Sequence, residues 1–440
     1  MAVFFTNICP KEENLKMNLY FTRVCGTMQV YELNFHLIKE KTMDFIKESI
    51  STPRKYECDV CVCGGGVAGI AAALAAKRAG ADEVILLERS FMLGGLATAG
   101  LVTIYLALCD GYGHQICYGL AEELFMLSIE HGVEARYPTP WLDGGTVEER
   151  AKCRFEVQFN AQLFALSAER LLRKEGVKII YGAQVSATAV SNGKITDVLI
   201  EGKGGREAIA IRSAVVDCTG DADVCKLAGA ETANFKKGNK LASWYYGLGE
   251  GKFKLYMCGV HDINDSENVV AFNRKDRFSG VETDELSDMV QLSRVEMMKD
   301  ILSRKAKTPD FVPTSMATIP DVRMTRRLVG AYTQDIDEVG VRYPDTVGIF
   351  PNWKKHGPVY ELPFSSLYSN EVKNLAVAGR CISVTDEMWD VTRVIPVCAV
   401  SGEAAGAAAA MCSDFSKIDI KKLQDHLTKN GVKLHNYLED

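Results

Sequence analysis

The chain has no uninterrupted apolar run of about 18 residues, so no transmembrane helix is expected. It also lacks a positively charged segment ahead of an apolar stretch at its start, MAVFFTNICPKEENLK, and no secretory leader is expected. Basic residues are not in excess: 51 Lys and Arg stand against 57 Asp and Glu, a net charge of -6. That balance argues against a nucleic-acid or anionic-membrane surface as the main business of the protein. Proline is scarce, 12 residues against 37 glycines, so glycine is expected to serve close backbone approach as well as turns. The 14 cysteines are about 3% of the chain, far below a disulfide scaffold. Without an export signal they are expected to be reduced. No repeat of about 20–50 residues is visible. What remains is a soluble, cytoplasmic class of protein, long enough at 440 residues for two packed cores, with two or three domains expected from length.

Residues 1–55 have weak periodicity and read as an appended arm. The signal sharpens from Tyr56. Asp59-Val60-Cys61-Val62-Cys63 is a β-type run, followed at once by Gly64-Gly65-Gly66-Val67-Ala68-Gly69. Ile70 to Ala79 is an Ala-rich helix stopped by Gly80, and Val84 to Glu88 is a second buried strand. A helix is expected at 159–175. Val185–Val190, Lys194–Ile200 and Ala208–Ile211 read as strands, joined by Asn192-Gly193, a hairpin signal, and by Gly204-Gly205. Ala214–Cys218 reads as a further buried strand ending in Thr219-Gly220-Asp221. Later come a helix at 284–305, a buried strand from Leu375 to Ala378, a small-residue helix at 396–412 and a C-terminal helix within 416–440.

Gly64-x-Gly66-x-x-Gly69 is a weak signal alone, but here it has a strand before it, a helix after it and Glu88 19 positions beyond Gly69. Each part has a physical task. Gly64 permits the tight turn, Gly66 keeps Cβ out of the way of a pyrophosphate, and Gly69 lets the helix lie close on the sheet. The helix start offers free N–H groups to phosphates, and Glu88 can accept from ribose hydroxyls. These residues predict a dinucleotide site. No second such motif opens a helix after a strand, so a separate NAD(P)H domain is not expected.

The run Asp59–Glu88, then Arg89, then Gly94-Gly95-Leu96-Ala97-Thr98, resembles the FAD-dependent oxidoreductases of the two-dinucleotide-binding-domain flavoprotein superfamily. Val215–Asp223 resembles their "DATGD" strand end. Ala378-Gly379-Arg380-Cys381-Ile382-Ser383 with Thr392-Arg393-Val394-Ile395-Pro396 resembles their late cofactor motif. The resemblance covers roughly residues 45–412. It implies an α/β fold: a three-layer, Rossmann-like FAD-binding domain with an inserted mixed α+β domain over the substrate. It implies noncovalent FAD, held by Gly64, Gly66, Ala68, Gly69, Glu88, Arg89, Gly94, Gly95, Thr98, Val185, Thr219, Gly220, Gly379, Arg380, Arg393 and Val394. Pro396 is expected to open the late helix, whose positive end would face the flavin.

The FAD domain is expected in pieces, 56–110, 155–230 and 366–415, with 111–154 and 231–365 covering a substrate. The partners expected are a small polar organic molecule, exchanging a hydride with flavin N5, and an electron acceptor. Two further readings stand beside this one: a fumarate-reductase-like reductase of activated alkenes using Arg326 or Arg393, and a flavin-binding module acting on a macromolecule. Members of the family often carry His after "AGRCIS", where this chain has Thr385-Asp386-Glu387, so Asp386 becomes a proton-handling candidate. Arg326, favoured by the resemblance as a substrate anchor, and His356 and Tyr360, in a loop before the final cofactor motif, complete the catalytic candidates. Cys58, Cys61 and Cys63 have no second pair at metal-site spacing, so no metal site is expected and they read as buried strand residues.

Overall fold

The computed structural model describes residues 48–259, 269–272 and 276–436, with Ile46 and two short paired strands, Thr22–Val24 and Thr27–Gln29. Residues 1–51 and 52–440 form separate units. The remainder of the expected arm lies outside the described residues.

The second unit is built on a sheet whose parallel part runs in the order Lys178–Tyr181, Val84–Glu88, Arg54–Cys63, Gly205–Asp217 and Leu375–Val377. Val84–Glu88 is buried along its whole length, as a strand covered on both faces must be. An antiparallel meander, Gln184–Ser191, Lys194–Gly202 and Gly205–Asp217, is built onto the same sheet. Its first turn has positive φ at both Asn192 (53°) and Gly193 (72°), the primed geometry that matches strand twist.

Gly205–Asp217 corrects one expectation. Two strands were read around Arg212-Ser213, but the chain runs through as a single strand of 13 residues with register shifts between Ile211 and Ala214. The polar pair that breaks the apolar pattern is a bulge. Arg212 turns outward to Asp59 at 2.7 Å, and the strand passes from the meander to the parallel sheet.

The helices Val67–Arg78, Ala161–Lys174 and Ile395–Met411 form the opposing layer. Val67–Arg78 and Ile395–Met411 touch backbone to backbone. A Cβ on Gly402 would lie 2.3 Å from the Ala68 carbonyl oxygen, and one on Gly406 2.0 Å from that of Ala72. The late helix starts at Ile395 and not at Pro396, which occupies the second position, where its missing N–H is equally harmless. Among the described residues no single helix is long and apolar enough to cross a membrane.

The inserted region has its own sheet, in the order Val269–Val270, Lys252–Cys258, Ser243–Gly249 and Val312–Met316, against the helix Thr283–Lys307. Tyr245 and Tyr256 stack at 4.9 Å inside it, with Phe311 edge-on. Segment 111–154 is different. Its helix Leu120–Ile129 packs on Ile395–Met411 and Ala161–Lys174 and adds to the main core. Cys58, Cys61 and Cys63 are all fully buried, with Cys61 Sγ 3.9 Å from Cys63 Sγ on one strand face.

Candidate functional site

At the carboxyl ends of the parallel strands lies a cavity of about 420 Å³. This is where an open α/β sheet presents its loops. Gly64, Gly66, Ala68, Glu88, Arg89, Gly94, Gly95, Val185, Thr219, Gly220, Gly379, Arg380 and Arg393 all line it. Residues from positions 64 to 393 are thus brought to one wall.

The loop that opens the cavity is tight by construction. Gly64 has φ 108°, and a Cβ there would come within 2.4 Å of the Cys218 carbonyl oxygen. Gly69 does not line the cavity. A Cβ on it would stand 1.8 Å from the Gly64 carbonyl oxygen, so its task is to let the helix close on the loop. Gly66 is the reverse case, because a Cβ there would meet no protein atom within 4 Å. The space in front of it belongs to the cavity.

Helix Val67–Arg78 begins with no side-chain cap and no acid in its first turn, leaving its N–H groups to the cavity. Helix Ile395–Met411 likewise lacks a capping side chain and a first-turn acid, and its first residue lines the same space. Glu88, 7% exposed, accepts from the backbone N–H of Gly65 at 2.8 Å and of Ser90 at 2.7 Å. That fixes the carboxylate at the end of its strand with lone pairs left for hydroxyl donors. Two anion-seeking helix starts, a glycine opening and a held carboxylate suit the phosphates and ribose of FAD.

Other expected residues act through position. Thr98 is buried and donates from Oγ1 to the Leu93 carbonyl at 2.5 Å, tying down the Gly94-Gly95 loop. Arg380 donates to the Gly220 carbonyl at 2.9 Å, to Asp221 Oδ1 at 2.6 Å and to the Val322 carbonyl. It therefore joins the two sides of the cavity. Arg393 is held by Asp390 at 2.6 Å. Burial resists ionisation of Asp390, but Arg393 and Lys354 outweigh it and keep that carboxyl below its ordinary range. Asp223 also lines the cavity. Burial, then Asp221 and Asp217, push its carboxyl up to about 6 against Arg326 and Arg89.

The catalytic candidates read from sequence are placed elsewhere. Arg326 pairs with Asp223 at 2.7 Å and donates to the Asp221 carbonyl at 2.9 Å, behind the cavity wall. Tyr360 is 2% exposed, stacks on Phe350 and donates to the Ile336 carbonyl. His356 packs edge-on to Tyr112 against Gly111. Asp386 accepts from the Lys236 backbone N–H in the first turn of helix Asp386–Thr392. None of the four lines the cavity. Cys381 is fully buried, and burial holds its thiol well above the ordinary range.

A side chamber opens from the cavity and shares Leu96, Ala97, Val322, Arg380, Arg393 and Ile395 with it. Val394 lines this chamber, as do Trp244, Asp321, Arg323 and Trp353. Of the two segments expected to cover a substrate, 231–365 supplies lining residues and 111–154 supplies none. Asp321 and Trp244 are not among the residues expected from sequence. Neither sits in a recognisable motif, and their approach depends on how the inserted sheet folds over the cavity.

The chain is similar to three solved structures, among others. One is a geranylgeranyl bacteriochlorophyll reductase-like protein from Thermoplasma acidophilum (11% identity, 85% of this chain and 82% of that one, TM-score 0.41). Another is 3-ketosteroid-delta4-(5alpha)-dehydrogenase from Rhodococcus jostii RHA1 (14% identity, 82% and 100%, TM-score 0.37). The third is an open flavocytochrome c3 fumarate reductase (14% identity, 81% and 78%, TM-score 0.37). No curated protein matches the chain in sequence. The model of one family does, described as FAD dependent oxidoreductase, over residues 59–310 and 294–427. With that match spanning the cavity-lining motifs from end to end, the chain belongs to the FAD dependent oxidoreductase family and is an FAD-dependent enzyme.

Proposed function

We propose that the protein transfers a hydride between a small organic substrate and the N5 atom of noncovalently held FAD. The observation that carries this reading is the side chamber, which meets the cofactor cavity at Leu96, Ala97, Val322, Arg380, Arg393 and Ile395. A molecule seated there lies against the end of the cavity bounded by the late helix. Bound FAD supplies the two-electron chemistry. The chain itself binds, orients and excludes water. Gly64, Gly66 and Glu88 hold one end of the dinucleotide, and the uncapped start of Ile395–Met411 favours negative charge at the other. Trp244 and Trp353 supply apolar wall to the chamber.

Anaerobic addition of candidate alcohols, amines and ketones, followed by visible absorbance, tests the reading. The expected result is bleaching of the flavin band by one class of donor. Of the two arginines considered for the reverse reaction, reduction of an activated alkene, only Arg393 lines the chamber, and it is held there by Asp390, while Arg326 lies outside it in a pair with Asp223. Reoxidation of chemically reduced enzyme by such an alkene, without bleaching by any donor, favours that alternative.

A further inference from the structure

The side chamber has a volume of about 130 Å³, and its walls are apolar: Val102, Ile104 and Leu106 on one side, Trp244 and Trp353 on others. Three arginines, Arg323, Arg380 and Arg393, and one buried carboxyl interrupt them. Asp321 is 7% exposed; its Oδ2 accepts from the Trp244 backbone N–H at 3.1 Å, while its Oδ1 meets no donor on the protein. A buried carboxyl with one oxygen unmet is costly unless it keeps its proton or meets a ligand. The charged groups around it are Arg323 on its own segment, Arg294 from helix Thr283–Lys307, and Arg380 and Arg393 across the chamber, with Cys258 near by on the inserted sheet. Arg380 is bound to Asp221 and Arg393 to Asp390, so those two cations are already matched. Burial pushes the Asp321 carboxyl up to about 7, with Arg323 and the Trp244 N–H opposing.

We propose that this chamber is the substrate subsite, and that it takes an uncharged, ring-sized, apolar molecule whose carbonyl or hydroxyl oxygen is met by the Asp321 carboxyl. The assignment deepens the hydride-transfer reading and rests on it. It departs from the polar substrate expected from sequence because the lining is hydrocarbon and indole apart from this carboxyl and the flanking arginines. A protonated Asp321 donates to a carbonyl oxygen, which has no proton of its own to offer. An anion finds Arg380 and Arg393 already paired with Asp221 and Asp390 and Arg323 already beside Asp321, and a cation finds the carboxyl in its neutral form only below its titration near about 7. In the oxidative direction bound FAD would supply the hydride acceptor as the substrate hydroxyl becomes a carbonyl. The hydroxyl proton then goes to ionised Asp321, which returns it to solvent.

The test is calorimetric titration of the FAD-loaded protein with cyclohexanone, cyclohexanecarboxylate and cyclohexylammonium at about pH 5.5 and about pH 8.5, on either side of the carboxyl's titration. Cyclohexanone is expected to bind roughly 10-fold more tightly than either ion at the lower pH, and to weaken roughly 10-fold at the higher. Asp321→Asn, which keeps an acceptor for Trp244, should make ketone binding pH-independent with the flavin spectrum retained. Leu106→Trp, which fills the chamber, should abolish ketone binding with the flavin spectrum retained. Tighter binding of either ion, or a flat pH profile in the unaltered protein, overturns the proposal. So does ketone binding by apoprotein that is lost on loading FAD, since the chamber would then belong to the flavin ring. A protein that takes up no FAD yet binds cyclohexanone with this pH profile would contradict the flavin reading and leave the chamber assignment standing.

Discussion

A methyl group on Gly66 would touch no protein atom, whereas one on Gly69 would collide with the Gly64 carbonyl. Two substitutions in one motif should therefore fail in different ways. Gly66→Ala is expected to fold with the stability of the parent apoprotein but to lose at least about 10-fold in FAD affinity, since the methyl enters the space of the pyrophosphate. Gly69→Ala should lower the stability of the apoprotein itself, by about 1–3 kcal/mol as for other overpacked sites. Denaturation without cofactor, followed by FAD titration, separates the two. Arg326 shows how a residue-level reading meets its partners only in the fold. Its basic cluster suggested an anionic or carbonyl-bearing substrate, whereas in the fold Asp223 and the Asp221 carbonyl take the guanidinium. Arg326→Gln should therefore cost stability, about 1–3 kcal/mol for a broken, largely buried charged contact. It should leave ligand binding in the chamber unchanged.

At the scale of elements, the late helix does more than present its start to the cavity. Glu403, inside it, accepts from the Leu120 backbone N–H at 2.7 Å and so caps helix Leu120–Ile129, whose own N-cap residue is Gly119. Burial pushes this carboxyl up to about 8, with a smaller contribution from Glu123. Glu403→Gln keeps the acceptor and is expected to fold normally, while Glu403→Ala leaves an orphan N–H and should cost about 1–3 kcal/mol by chemical denaturation. The sequence showed which elements exist where periodicity and turn chemistry agree, as at Asn192-Gly193 and in the strand–glycine–helix unit from Asp59. It misled at Arg212-Ser213, because a bulge and a strand break look alike until the partner strand is known. It was silent on Glu403, since a single acid in an Ala-rich helix gives no sign of the segment 283 residues earlier that it caps. The cofactor wall was legible because glycine patterns are local. The substrate side was not, because it is assembled from loops that meet only in the fold.

For the whole molecule, three buried carboxyls share one sign of shift: Asp223 to about 6, Asp321 to about 7 and Glu403 to about 8. Each binds its proton more tightly in the folded chain than in the unfolded one, where Asp and Glu titrate near about 4. Their contribution is complete below that value and is lost as pH rises through about 6 to 8. Paired acids such as Asp390, held low by Arg393 and Lys354, act in the opposite sense and lose their contribution only in stronger acid. Stability of the apoprotein should accordingly be greatest at about pH 5 and decline toward about pH 8. In a thermal scan against pH, Asp321→Asn combined with Glu403→Gln should flatten that decline.

The hydride-transfer reading depends on the cavity holding FAD, and the proposed mode is without a covalent bond. Acid precipitation of the purified protein, followed by the visible spectrum of pellet and supernatant, decides this. The expected outcome is a yellow protein whose colour passes into the supernatant, identified there as FAD in an amount equal to the chain. A yellow pellet would contradict the noncovalent assignment, and a colourless protein that takes up no added FAD would contradict the flavin assignment altogether.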